Sequence, residues 1–376
     1  MVQRFIVPFY IKICFILISL IALVFIAIVG QKILIPLCFS FLFAILLLPV
    51  ANFLENKCKL PRTVSAVIAS VLFISSLLYI IYLLGSQLAS FSKDWPLLKV
   101  QLATLLQNSR EWMAQTFHID AKKENSFITN TSDKFLHFNT AILGETILSI
   151  SSLILFIVFI LIYTIFILCY RRLLVRFITV TFTEKYAGLI AEILAEVKLI
   201  IKGYIVGLFV EMLIVSSLAI IIFLVLGIKY VIVLGVIIGV FNLIPYVGIF
   251  TALFFSMCVT FATSGGKEAL FVGIAVVCIH LLDSNFIGPK IVGSHVKINP
   301  FLIILGVVIG EMIWGIPGMF LSIPLLAISK VIFDRIESLK AFGILLGEEE
   351  KILPTTIEPE VKNIESNSDG ENLFTI

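Results

Sequence analysis

The chain has 376 residues, 60% of them hydrophobic and only 14% charged, with a formal net charge of +3 and a mean hydropathy of +1.14. A soluble domain carries about 25% charged residues, so the composition excludes a soluble globular protein and points to an integral membrane protein. No nucleic-acid partner and no cofactor is expected. Six cysteines, Cys14, Cys38, Cys58, Cys169, Cys258 and Cys278, are scattered singly without a C-x-x-C pair. They read as small core residues, not as disulfides or metal ligands.

Crossing the hydrocarbon core takes about 20 apolar residues. Segments of that kind fall at 13–29, 33–53, 63–85, 146–170, 204–227, 230–262, 269–288 and 299–333. The fold class expected is an all-α, polytopic integral membrane protein of about eight hydrophobic segments. Arg4 and Lys12 precede the first, but Gly30-Gln31-Lys32 is a poor cleavage site and another apolar run follows at once, so the first segment reads as an uncleaved anchor.

Residues 1–90 thus hold the N-terminal transmembrane helices. Lys57, Lys59 and Arg62 lie between the second and third spans, and Arg171, Arg172 and Arg176 follow the fourth. If each span crosses once, all of these face one side with Arg4, the cytoplasmic side by the retention of basic residues there. Residues 91–145, in which six bases balance six acids, then form an extracytoplasmic region with amphipathic helical stretches such as Trp95 to Phe117. Residues 146–176 make the fourth transmembrane helix. Residues 177–202 mix Glu184, Lys185, Glu192, Glu196, Lys198 and Lys202 with Leu and Ile at helical spacing, an amphipathic helix at the cytoplasmic surface that feeds into the fifth span. Residues 203–335 are richer in Gly, Pro and ionisable groups and read as the transport core. Residues 336–376 form an acidic tail expected to be disordered and cytoplasmic, with eight acids against two lysines from residue 348 onward.

Within the core one pattern occurs twice. Gly235-Val-Ile-Ile-Gly239 runs into Ile244-Pro245-Tyr-Val-Gly248, and Gly306-Val-Val-Ile-Gly310 runs into Gly315-Ile-Pro317-Gly318. A Gly or Pro break frees backbone groups that hydrocarbon cannot satisfy, so it survives only against protein or a polar cavity. Paired broken helices point to a transport site. Each broken segment is long enough either to span or to turn back as a re-entrant hairpin. The Gly-x-x-x-Gly spacing also allows close helix packing with no further role.

Carboxylates inside apolar runs are costly, about 3 kcal/mol at the centre of a helix, and mark functional positions by default. Glu211 and Glu311 stand deepest in their runs. Glu311, just before the second break, would bind a cation or substrate in a cavity, or stay protonated, or face a subunit contact. Glu211 would take a similar role or pair with a base on a neighbouring helix. Asn242 stands at the first break, where its amide would satisfy freed carbonyls or touch a polar solute. Between the breaks lies His280-Leu-Leu-Asp283-Ser-Asn285, with His295 further on. These match no zinc spacing, and a polar helix end at a cavity boundary is the better reading. No nucleophile–base set is visible, and Thr263-Ser-Gly-Gly-Lys267 lacks the earlier glycine of a phosphate-binding loop, so an enzyme is not expected.

Phe241-Asn-Leu-Ile-Pro-Tyr-Val-Gly248, Asp283-Ser-Asn-Phe-Ile-Gly-Pro289-Lys-Ile-Val-Gly293, Asn299-Pro300 and Gly310-Glu-Met-Ile-Trp-Gly-Ile-Pro-Gly318 through Pro324 resemble the signature blocks of the autoinducer-2 exporter (AI-2E) family of bacterial permeases. The resemblance reaches to about residue 335. It implies a multi-pass, homo-oligomeric permease of the cytoplasmic membrane that moves a small hydrophilic solute outward, with some relatives linked to a quorum signal and others to sodium or lithium exchange for protons. Where relatives often carry a polar or acidic residue before the mid-block proline, this chain has Gly288. Three readings follow: a small-solute exporter, a sodium(lithium)/proton antiporter, and a non-transporting scaffold. For a transporter the path is expected to include Glu311, Asn242, Pro245, Gly248, Glu211, Asp283, Asn285, Gly315, Pro317 and Gly318. Its partners would be a small polar solute, sodium and protons, and the lipid bilayer.

Overall fold

The computed structural model describes residues 8–91, 104, 107, 138–182, 186–245, 247–291, 293 and 298–348. Among these every regular element is helical, in chain order α1 (Phe9–Val29), α2 (Gln31–Asn56), α3 (Arg62–Phe91), α4 (Phe138–Thr181), α5 (Ala187–Val225), α6 (Val231–Asn242), α7 (Val247–Ser264), α8 (Gly266–Leu282), a π-helical turn (Asp283–Ile287), α9 (Gly288–Ile291), α10 (Pro300–Trp314), α11 (Ile316–Arg335) and α12 (Lys340–Leu346). Seven stretches are long and apolar enough to cross a membrane, so the chain is an all-α, multi-pass integral membrane protein. The exposed faces carry large apolar side chains such as Phe15, Leu72, Phe166 and Phe254, as expected where lipid replaces water.

α2, α3 and α4 pack around Ala51, Ala66, Ala69 and Leu168. They are tied at one end by Glu55, which pairs with Arg171 and lies 3.6 Å from both Arg62 and Arg172. The basic groups between spans two and three and after span four therefore gather at one end of the molecule, the arrangement that one crossing per span requires. Arg335, closing α11, joins this end through Glu192 and through Glu196 at 2.9 Å, both near the start of α5. Residues 177–202 are split between the end of α4 and the start of α5, with a short connection between them.

Each broken segment is a helical hairpin. α6 returns antiparallel along α5, because Gly235 meets Ile220 and Gly239 meets Ser216 and Met212. Gly227 and Tyr230 supply the left-handed backbone of that turn. After 12 residues, about 18 Å at 1.5 Å per residue, the chain turns at Pro245 and α7 leads back. α10 and α11 form the second hairpin, closed at Gly315, whose φ of 63° and ψ of −144° suit glycine. The Trp314 indole N–H donates to Ala27 O at 2.9 Å, which sets this tip beside the end of α1, at the opposite end of the molecule from Arg335.

The glycine repeat is one motif with two uses. Gly235 and Gly239 seat α6 on the preceding α5, whereas Gly306 and Gly310 seat α10 on the following α11. Two expectations are corrected. Residues 337–346, assigned to a disordered tail, form a 3₁₀ turn and α12. Gly343 and Leu346 are buried there, and Leu346 O accepts the Asn299 N–H at 2.9 Å. Cys14, Cys58 and Cys278 are exposed and the other three cysteines half-buried, because most of the helix surface faces outward in so thin a bundle. The acidic stretch from residue 349 and most of 91–145 lie outside the described residues.

Candidate functional site

The polar centre of the molecule forms where the α6–α7 tip and the end of α8 meet α5. α8 runs as an ordinary helix to Leu282 and then widens into a π turn. π turns are frequent at functional sites, since the extra residue redirects side chains and loosens the backbone ladder. Ser284 Oγ and Asn285 Nδ2 donate to His280 O and Leu281 O, each at 2.8 Å, which satisfies carbonyls near the widened turn. Asn285, expected on a solute path, is thus exposed and spends its amide on its own helix.

Asp283 opens the π turn and is 5% exposed. Its Oδ2 accepts the Asn242 Nδ2–H at 2.9 Å across to the end of α6. Its Oδ1 has no hydrogen-bond partner among the described residues. The Glu211 carboxyl group of α5 lies against Asp283, with Oε1 3.2 Å from where a Cβ on Gly288 would stand. Glycine at 288 therefore leaves the space that the Glu211 carboxyl uses. Three polar side chains from α5, α6 and the end of α8 meet here, about 20 Å down α5 from Val225 by helical rise. Two carboxyl groups in contact cannot both carry full charge without a proton or a cation between them.

A recess with room for about one water molecule opens from Asp283 between α5, α6, α7 and α8. Its walls include Val215, Ile238, Ala252 and Val276, and its polar groups are Asn242, His280 and Asp283. The wall residues all lie toward the end of the molecule at which α5 stops. The His280 Nδ1 is buried without a partner among the described residues.

The first break supports this site from behind. Pro245 has no N–H, and a Cβ on Gly248 would stand 1.8 Å from Phe241 O, so glycine lets α7 start against the last turn of α6 and brings Asn242 to Asp283. The second break has the same construction, since a Cβ on Gly318 would stand 1.9 Å from Gly310 O. Pro317 occupies the first turn of α11, where its missing N–H costs nothing. Glu311 is exposed one turn before this tip, on α10, whose main neighbours are α11 and α1. It stands near the end of α1, away from mid-bundle. Of the expected residues, Asn242, Glu211 and Asp283 come together, Pro245 and Gly248 position them, and Glu311, Gly315, Pro317 and Gly318 form the separate hairpin tip. His280, which the sequence marks as part of a polar helix end, lines the same recess. Its three-residue spacing from Asp283 was the signal that it shares the site.

The family model for AI-2E family transporters matches residues 17–338. YrrI of Bacillus subtilis, named provisionally as a transport protein, is 28% identical over 312 residues, 80% of this chain and 86% of its own length. YueF of the same organism, named likewise, is 27% identical over 302 residues, 77% of this chain and 80% of its own. The AI-2 transport protein TqsA of Escherichia coli is 22% identical over 321 residues, covering 85% and 90%.

Proposed function

The chain belongs to the AI-2E family of transporters, and on that premise we propose that it exchanges a small monovalent cation, sodium or lithium, for protons across the bacterial inner membrane. The observation that carries this reading is the Glu211–Asp283 carboxyl pair, held by Asn242, with Asp283 buried and Glu211 half-buried. A recess of about one water in size suits a bare cation or a proton and not a furanose-sized solute. In the exchange cycle, protonation of the pair releases the cation, and cation binding expels the proton. Competition for one pair of carboxyls makes the exchange obligatory. No catalytic chemistry is assigned to the protein.

A second reading, outward movement of a small polar solute, is favoured by the similarity to TqsA, whose name gives AI-2 as its cargo. It would require the α6–α7 hairpin to part from α8 and enlarge the recess. A non-transporting scaffold leaves the carboxyl pair without a role. The same proposal includes a homo-oligomer: α10 presents Phe301, Ile304, Val308, Glu311 and Met312 outward, a face that a second copy would cover, keeping the Glu311 carboxylate out of lipid. The basic end marked by Arg171 and Arg335 is assigned to the cytoplasm.

Cation binding by the purified protein tests the exchange reading. A ligand that binds only the folded state stabilises it by about 2.7 kcal/mol at one hundred times its Kd. Sodium or lithium is expected to raise the unfolding temperature of the wild type at neutral pH and not that of Asp283→Asn. Equal shifts in both proteins would reject the site.

A further inference from the structure

We propose that His280 is the proton-handling partner of Asp283, the two sharing one water molecule held in the recess between α5, α6, α7 and α8. The inference rests on the exchange reading above and adds the residue that takes up the proton. Three observations carry it. The recess has room for about one water, and Asn242, His280 and Asp283 are its polar groups. Among the described residues His280 Nδ1 is buried without a hydrogen-bond partner, and Asp283 Oδ1, with the Glu211 carboxyl beside the same group, has no donor. Finally, the two residues are three apart on one helical run, which puts their side chains on a common face.

An unpaired polar atom of this kind is costly to bury if nothing meets it. A buried water is stable where two to four polar groups converge on it in sufficient space, and this recess offers three. The remaining lining is apolar, and Glu211, which lies against Asp283, is not among the residues that line the recess.

Proton movement through that water balances as follows. The O–H bond of a protonated Asp283 breaks, its proton passes to the water, and the water gives one of its own protons to Nδ1. Neutral imidazole becomes imidazolium, Asp283 becomes a carboxylate free to take a cation, and the water is restored. The imidazolium then releases its proton to bulk water on the side where the cation entered, and when the cation leaves on the other side a proton taken up there by His280 passes back through the water to Asp283. The titratable groups at this point are Asp283, at the end of His280's own helix, and Glu211 across from α5. α6 contributes the uncharged Asn242 and α7 the apolar Ile249 and Ala252. Histidine suits the task because its ring nitrogens can each accept or give up a proton.

The test uses the full-length protein in liposomes with two readouts. In the first, histidine is labelled with ¹⁵N and the His280 signal is identified by its loss in His280→Asn. Its pH titration is expected to change on adding sodium chloride in the wild type and to be indifferent to sodium in Asp283→Asn. In the second, sodium-driven proton flux is followed against pH. His280→Asn keeps a hydrogen-bonding group near the Nδ1 position but cannot titrate, and is expected to change the dependence of the flux on pH relative to wild type. A His280 titration that responds to sodium equally in both backgrounds, or an unchanged pH profile in His280→Asn, overturns the proposal. Absence of sodium-driven flux from the wild type, with the spectroscopic coupling intact, would instead remove the exchange reading and leave the His280–Asp283 pairing standing.

Discussion

Replacing Gly318 by alanine asks whether the α10–α11 hairpin is as close-packed as its geometry requires. The new Cβ would lie 1.9 Å from Gly310 O, 2.6 Å from Gly310 C and 3.0 Å from Trp314 Cβ. Two of these three obstacles are backbone, so no rotamer change relieves them. Ordinary contact begins at 3.4 Å, so the helices must part locally by about 1.5 Å, beyond the small adjustments that overpacked cores absorb for about 1–3 kcal/mol. A gap of half an ångström to one ångström already forfeits about a quarter to a half of the dispersion between facing atoms, and Gly306 packs on Leu326 along the same seam. The expected loss is about 3 kcal/mol, the top of that range. Thermal unfolding in detergent reads it, with Gly188→Ala as the control. Gly188 is helical with nothing within 4 Å of its Cβ position, so alanine there is neutral or stabilising by about 0.5–1 kcal/mol. Gly318→Ala unfolding together with wild type and Gly188→Ala would refute the close approach and the hairpin built on it.

Asn242→Ala removes the donor to Asp283 Oδ2 and should cost about 1–3 kcal/mol in unfolding free energy, together with a weaker sodium-dependent thermal shift. Gly288→Leu places a side chain where the Glu211 carboxyl stands, 3.2 Å from the Cβ position, and is expected to abolish cation binding while the protein still folds; retained binding would count against the geometry. Glu55→Gln leaves Arg171 and its neighbours Arg62 and Arg172 without their shared acid. An unfolding temperature lowered by the loss of about 1.5–3 kcal/mol, with transport per folded molecule unchanged, marks this cluster as structural.

Much of this architecture can be read from residues, because Gly and Pro impose it locally. The breaks at Pro245 and at Gly315-Ile-Pro317 follow from a missing N–H and a left-handed φ, and they stand where the sequence puts them. The pairing of Asn242 with Asp283 is different, since it joins residues 41 apart and depends on how far α6 descends before it turns. No local propensity encodes that length. Glu311 illustrates the converse: its position in an apolar run suggests mid-membrane burial, yet the run is a hairpin and the carboxylate sits near its tip. Depth in a sequence run equals depth in a bilayer only for helices that cross once. The glycine repeat likewise predicted close packing correctly but carried no information on which neighbour each helix would choose. α12 was obscured by the acidic stretch that follows it, although Phe342, Ile344, Leu345 and Leu346 are apolar.

The most direct test of the central claim is proton flux in proteoliposomes driven by an imposed sodium gradient, compared among wild type, Asp283→Asn and Glu311→Gln. Exchange at the Glu211–Asp283 pair predicts robust flux in wild type and Glu311→Gln and none in Asp283→Asn. Flux that persists in Asp283→Asn, or that disappears only in Glu311→Gln, would place the coupling carboxylate at the hairpin tip and contradict the account.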